Sequence, residues 1–287
     1  MKVELLMADV RPIHAAHSIQ ELTLALEFQS ALSQKALQNL YDHRSEFSDQ
    51  LPGDQIFRGH LLPVGQGLQI QGFPAAQALV ATGSGGDQMP IVAVQFIRMQ
   101  PSGVLDTRLT AQQNSVAFTC MAYSRWVEVW NIGRGLFSRV VPMIMESPVI
   151  IFGMNYVDKY LISGNPEEFN PLDLFRDNGS HIPSIILDKP LFHIHQGYFS
   201  ALHSGGKALV NVNVDVQDDA VAGRVVTVTT YLRAFADPPE ESAERLFTDG
   251  RDGVADVKME ELHEKAKSIL ADLLSDKMVE KINLKAP

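Results

Sequence analysis

Two histidines two residues apart, in Phe192-His193-Ile194-His195-Gln196-Gly197-Tyr198, are the residues of this sequence with the most direct chemical use. A β-strand points successive side chains to opposite faces, so both imidazoles would fall on one face. The same alternation in Val210-Asn211-Val212-Asn213-Val214-Asp215-Val216 separates Asn211, Asn213 and Asp215 from the valines. Paired in a meander, the two strands would carry a strip of imidazole, amide and carboxylate groups. Such a strip suits a polar ligand or a divalent metal, whose identity stays open. The expected ligand-binding residues are therefore His193, His195, Asn213 and Asp215, and with a metal they would serve a hydrolase or nuclease-like reaction. A solvated sheet face explains the same alternation without chemistry, and H-x-H alone is a thin metal signal.

A second group sits on one amphipathic segment, where Arg125, Arg134 and Arg139 accompany Trp126 and Trp130. Arginine beside tryptophan is enriched at protein interfaces and also stacks on unpaired nucleobases. Arg125, Trp126, Trp130 and Arg134 are the expected interface residues; the plainer alternative is an aromatic core face with solvated arginines behind it. The remaining motifs fall short of a catalytic set. Gly83-Ser84-Gly85-Gly86 and Ser204-Gly205-Gly206-Lys207 do not match the phosphate-binding G-x-x-x-x-G-K-[ST] and fit turns. Leu262-His263-Glu264 lacks the second histidine of H-E-x-x-H, and no full G-x-S-x-G is present. No cofactor is expected.

The elements that must position these residues follow from hydrophobic periodicity. Residues 116–162 read as strand, helix, strand, with the helix over about 124–142 laying Trp126, Trp130, Gly133, Phe137, Val140 and Ile144 on a sheet. Before it come an alternating strand over 19–28 and a helix N-capped by Ser33 that ends at Pro52-Gly53. Several strands and glycine-rich turns, including Gly65-Gln66-Gly67, occupy 57–112. A composition change at Gly164-Asn165-Pro166 suggests a boundary. Beyond it lie three strands over 191–202, 208–217 and 224–235, a polar loop or lid over 237–256, and a long final helix over about 258–282. The fold class expected is α+β, with two antiparallel-sheet modules, residues 1–164 and 165–287, amphipathic helices on the sheets and a long C-terminal helix.

Composition limits the partners. The chain has 287 residues, 45% hydrophobic and 20% charged, which suits a globular core. A formal charge of -10 opposes the phosphate backbone, so nucleic acid is disfavoured as a partner. The single cysteine, Cys120, lies in an apolar run and fits a small buried residue of a reducing compartment. No apolar stretch reaches the roughly 18 residues of a membrane span. The first nine residues include Glu4 and Asp9 and do not look like a secretory leader, so the expected location is the cytoplasm.

Short segments spread over nearly the whole chain occur in a familiar order: Arg11-Pro12-Ile13, Tyr123-Ser124-Arg125-Trp126, Phe152-Gly153-Met154-Asn155-Tyr156-Val157, Val212-Asn213-Val214-Asp215, Leu262-His263-Glu264-Lys265 and Ser275-Asp276-Lys277-Met278. In these the chain resembles a sporadically distributed family of bacterial and archaeal proteins of unknown function. The family's strand after the middle helix usually reads R-x-G-x-R-Y-I-N, and here both arginines are missing. The resemblance implies no agreed activity, cofactor or catalytic residue. Its patchy distribution is of the kind seen for mobile or defence-associated genes. The function expected is that of a non-enzymatic cytoplasmic binding or interaction protein, with a protein partner or a second copy of itself. The metal-assisted enzyme on the His193, His195 and Asp215 strip is the alternative.

Overall fold

The structure, a computed structural model, describes residues 8–59 and 89–284; the expected turns at Gly65-Gln66-Gly67 and Gly83-Ser84-Gly85-Gly86 lie outside them. The first half of the chain runs β1 (Asp9–Pro12), β2 (Ile19–Phe28), α1 (Gln34–Asp42), β3 (Gly53–Arg58), β4 (Ile91–Met99), β5 (Leu105–Gln112), β6 (Ser115–Cys120), α2 (Trp126–Ile144) and β7 (Val149–Ser163). The second half adds α3 (Ser184–Leu187), β8 (Phe192–Ala201), β9 (Lys207–Asp219), β10 (Gly223–Glu240), α4 (Ala243–Leu246), α5 (Val254–Leu273) and α6 (Asp276–Lys281). The fold is α+β. No helix among the described residues is long and apolar enough to cross a membrane.

The two halves do not build separate sheets. The ten strands of the described residues join one antiparallel sheet in the order β3-β4-β5-β6-β2-β7-β10-β9-β8, with β1 beside β7. The seam is β7 against β10, in register from Arg224 opposite Ile162 to Phe235 opposite Ile151. β7 alternates buried residues along its length, and an unpaired second edge would leave a row of buried amides without partners. β10 supplies those partners. The composition change after Gly164 marks short 3-10 turns at Pro166–Glu168 and Pro171–Asp173, where proline blocks strand pairing without ending the sheet.

Side-chain alternation gives the sheet two faces. Leu22, Leu24 and Leu26 of β2, Phe152 and Met154 of β7, and Val228 and Leu232 of β10 point to the face that carries α1, α2 and α5, and all are buried. α1 begins where expected, the Ser33 hydroxyl accepting from the Ala36 amide at 3.1 Å. α2 continues two residues past Pro142, which has no N–H for the preceding turn. The final helix is shorter than its periodicity suggests. It stops at Leu273 because Leu274 turns away to bridge Phe175, and Ser275 caps the separate α6. The polar stretch 237–256 is not a long loop: β10 extends to Glu240, α4 follows, and Arg134 holds the Thr248 carbonyl.

Gly133 sets how closely α2 approaches the sheet. A Cβ there would lie 2.9 Å from Phe118 Cδ1 and 3.3 Å from Leu24 Cδ1. Alanine would recover up to about 1 kcal/mol of helix propensity against that clash, whereas valine adds two further methyl groups to a filled core. Gly133→Val is expected to destabilise the protein by about 1–3 kcal/mol. A lower urea midpoint at an unchanged m-value would show it; an unchanged midpoint would mean that the interface has room to give.

Candidate ligand-binding site

Between the α2 N-terminus, the middle of α5, the end of α6 and strands β2, β7 and β10 lies a cavity of about 310 Å³. Its floor follows from strand alternation. The inward positions of β7 are Phe152, Met154, Tyr156, Asp158, Tyr160 and Ile162, so Asp158 is a carboxylate in an otherwise apolar or aromatic row, and it is 1% exposed. The Ser18 hydroxyl donates to Asp158 Oδ1 at 2.6 Å, and the Tyr160 hydroxyl donates to Ser18 Oγ at 3.0 Å. Among the described residues no cation pairs with Asp158. Burial pushes its pKa up to about 6, with the Ser18 bond working in the opposite direction.

Two neighbours of Asp158 in the lining have hydrogen-bonding capacity to spare. Thr230, on the inward face of β10, is 1% exposed and its Oγ1 has no partner; His17 Nδ1 is likewise buried and unpartnered. Burial and, after it, the charge of His14 lower the His17 pKa, which favours a neutral ring. Only four buried side-chain polar atoms among the described residues lack a partner, and two of them line this one cavity.

The wall on the α5 side is an aromatic stack. His263 lies on the buried stripe of α5 with Met259, Leu262 and Ala266. Its Nδ1 shares a 2.8 Å hydrogen bond with the Tyr156 hydroxyl, and its ring stacks on Trp126 at 4.4 Å, with Trp130 stacked behind at 5.9 Å. Burial, and then the charge of Lys267, depress the His263 pKa to about 3, so this imidazole is neutral near pH 7. Tyr156 keeps its proton, since burial raises its pKa well above the ordinary value. At the mouth, Arg125 is exposed and has no ion-pair partner among the described residues, while Lys267 is held by Glu264 at 3.0 Å.

Of the expected interface residues, three are used inside the molecule. The indole N–H of Trp126 donates to Glu260 at 2.6 Å and that of Trp130 to Asp256 at 3.1 Å. Arg134 grips Asp256 with Nε at 2.7 Å and Nη2 at 3.2 Å. These contacts clamp α2 to α5, and they hold both tryptophans at 7% exposure or less. Of the four, Arg125 is the one that is exposed, at the rim of the cavity, while Arg134 is half-buried.

The expected ligand strip forms two cross-strand pairs at the sheet edge, on the face opposite α5. His193 stands opposite Asp215, with Nδ1 2.5 Å from Oδ1, and His195 opposite Asn213, whose side-chain oxygen it meets. His193 is 61% exposed and Asp215 41%. Among the described residues no three His, Cys, Asp or Glu side chains gather as a metal site. The strip and the cavity are on opposite faces of the sheet.

A wider polar groove of about 990 Å³ runs between β8 and α5. Several of its polar groups are engaged with one another. His181 bonds Gln196 at 3.1 Å, and Glu261 accepts from the Ser204 amide at 3.3 Å and from the His203 amide. Cys120 is no reactive alternative, because burial pushes its thiol up to about 11. The smaller cavity is where unmet polar capacity collects.

No family model, curated protein or solved structure matches this chain. The site therefore rests on its own residues. Sequence reasoning missed Asp158, Thr230, His17 and His263 as a group. A signal was present in each element: a carboxylate at an inward position of β7, a threonine at an inward position of β10 and a histidine on the apolar stripe of α5.

Proposed function

We propose that this chain is a binding protein whose small ligand occupies the cavity beneath α2 and α5. The observation that carries this is the unmet hydrogen-bonding capacity of Asp158, Thr230 and His17 around one space of about 310 Å³. Buried polar groups are almost always satisfied, so a cluster left short around a single cavity points to a ligand that completes it. The volume lies at the lower end of the range for small-molecule sites, about 300–1,000 Å³.

Binding fits this geometry better than catalysis. Ser18 gives its proton to Asp158 and accepts one from Tyr160, which leaves it tied as a nucleophile. The Nδ1 of His263 is committed to Tyr156. Gently purified protein is expected to carry a bound small molecule in native mass spectrometry. In Ala266→Phe, which places a ring in the cavity from α5, that extra mass should disappear while the near-ultraviolet circular dichroism stays native. A ligand retained by the variant would contradict the proposal, as would a bare wild-type chain that also takes up none of the small molecules titrated against it.

A further inference from the structure

We infer that the ligand is a small zwitterion of the amino-acid type, its ammonium group set against Asp158 inside the cavity and its carboxylate at the mouth against Arg125. This rests on the cavity being the binding site. An ammonium group has three N–H donors and no acceptor. The cavity offers two clear acceptors for them, the second oxygen of Asp158 and Thr230 Oγ1, with the His17 ring in the same lining. A carboxylate buried at 1% exposure without a counter-ion is costly, and a permanent cation offsets that cost better than a neutral donor does. Phosphate or a carboxylate would meet repulsion at the same place.

The opposite charge of the ligand is read from the mouth. Lys267 already has Glu264, at 3.0 and 3.1 Å, whereas Arg125 has no carboxylate partner among the described residues. A planar guanidinium matches a carboxylate through two parallel hydrogen bonds. The lining also includes the apolar side chains Ile19, Leu270 and Ile282, which suit a short methylene chain.

The test is isothermal titration of the wild-type chain with ω-amino acids from β-alanine to ε-aminocaproate and with the common α-amino acids. n-Butylamine, butyrate, butyramide and inorganic phosphate are run beside them. At least one amino acid is expected to bind saturably, about thirtyfold or more weakly in Asp158→Asn and several-fold more weakly in Thr230→Val, which leaves the charge unaltered. Arg125→Gln should weaken the zwitterion and leave n-butylamine unchanged. Zwitterion binding that survives Asp158→Asn in a natively folded variant would overturn the ammonium placement. Binding only of butyrate, butyramide or phosphate, abolished by Ala266→Phe, would overturn the ligand class and keep the cavity as the site. So would a copurified molecule that is not a zwitterion. Silence from every probe, with wild type and Ala266→Phe both bare in native mass spectrometry, would remove the binding site and this inference together.

Discussion

Arg233→Met is expected to destabilise the protein by about 3–5 kcal/mol, the cost of leaving a buried carboxylate without its counter-ion. Arg233 on β10 donates from Nε to Glu27 Oε1 at 3.1 Å and from Nη2 to Oε2 at 2.6 Å. The two residues are 206 positions apart in sequence, on strands flanking β7. In the sheet register Arg233 stands opposite Gly153 of β7, which has no side chain to block the way across to β2. Glu27 is 6% exposed, so its desolvation is not recovered by water when the guanidinium is removed. The pair ties the first long strand of the chain to the last. Combining Arg233→Met with Glu27→Met should restore most of the lost stability, because a buried ion pair contributes little beyond what apolar residues of similar volume provide. Urea unfolding of both single variants and the double variant measures it, and a loss in the double equal to the sum of the two single losses would show that the two side chains act independently.

Asp158→Asn is expected to make the unliganded protein more stable at pH 8 by about 3 kcal/mol, with the gain vanishing near pH 4. The carboxyl pKa rises from an ordinary 3.8 to about 6 in the folded chain, and each tenfold in the proton equilibrium corresponds to about 1.4 kcal/mol. The folded state holds this proton more tightly than the unfolded state. The contribution is therefore fully present below pH 3.8, is lost as the pH rises towards 6, and stays lost above it. His263 acts in the reverse sense. Its pKa falls from 6.5 to about 3, so its contribution is present above 6.5 and lost on acidification towards 3. Tyr123, Tyr156, Tyr160, His17, Lys267 and Arg125 also stand around the cavity or Asp158. Subtracting the wild-type stability curve from that of the variant removes their shared contributions and isolates Asp158. A variant that is less stable than the wild type at pH 8 would mean that the carboxylate has a cationic partner in the free protein.

The stabilisation expected on removing Asp158 has a functional meaning. A buried charge that lowers stability is retained where activity needs it. Ligand binding and stability should thus respond in opposite directions to the same substitution, whereas a purely structural carboxylate would move only stability.

Much of the fold was legible as periodicity. The strand over 19–28, the α2 stripe from Trp126 to Ile144 and the Ser33 cap all reflect local rules, alternation by two, spacing by 3.6 and one side-chain acceptor for a free amide. What local rules do not encode is which strands meet. Pairing of β7 with β10 joins residues 151–162 to 224–235, and nothing within either strand specifies the other. A proline-rich connection at 166–171 therefore looked like the end of one sheet when it is a link within it. The same gap hid the site. His193 and Asp215 were conspicuous because they repeat at spacing two within an exposed edge, which is also how a solvated face is written. Asp158 and Thr230 appear once each among apolar neighbours, and their meaning came only when β7, β10 and α5 closed around a shared space. Arg125 and Trp126 are neighbours in sequence but not on one surface: Arg125 is the extended N-cap residue of α2 and lies at the rim, whereas Trp126, the first helical residue, faces the core.

The most direct test of this account is the titration of the Asp158 carboxyl carbon, followed by ¹³C nuclear magnetic resonance in the free protein and assigned with Asp158→Asn. A midpoint near 6 is expected, displaced well downward when a bound ammonium group stabilises the charged form. A midpoint in the ordinary aspartate range in the free protein, unmoved by any ligand, would contradict it, since Asp158 would then be neither short of a partner nor part of a binding site.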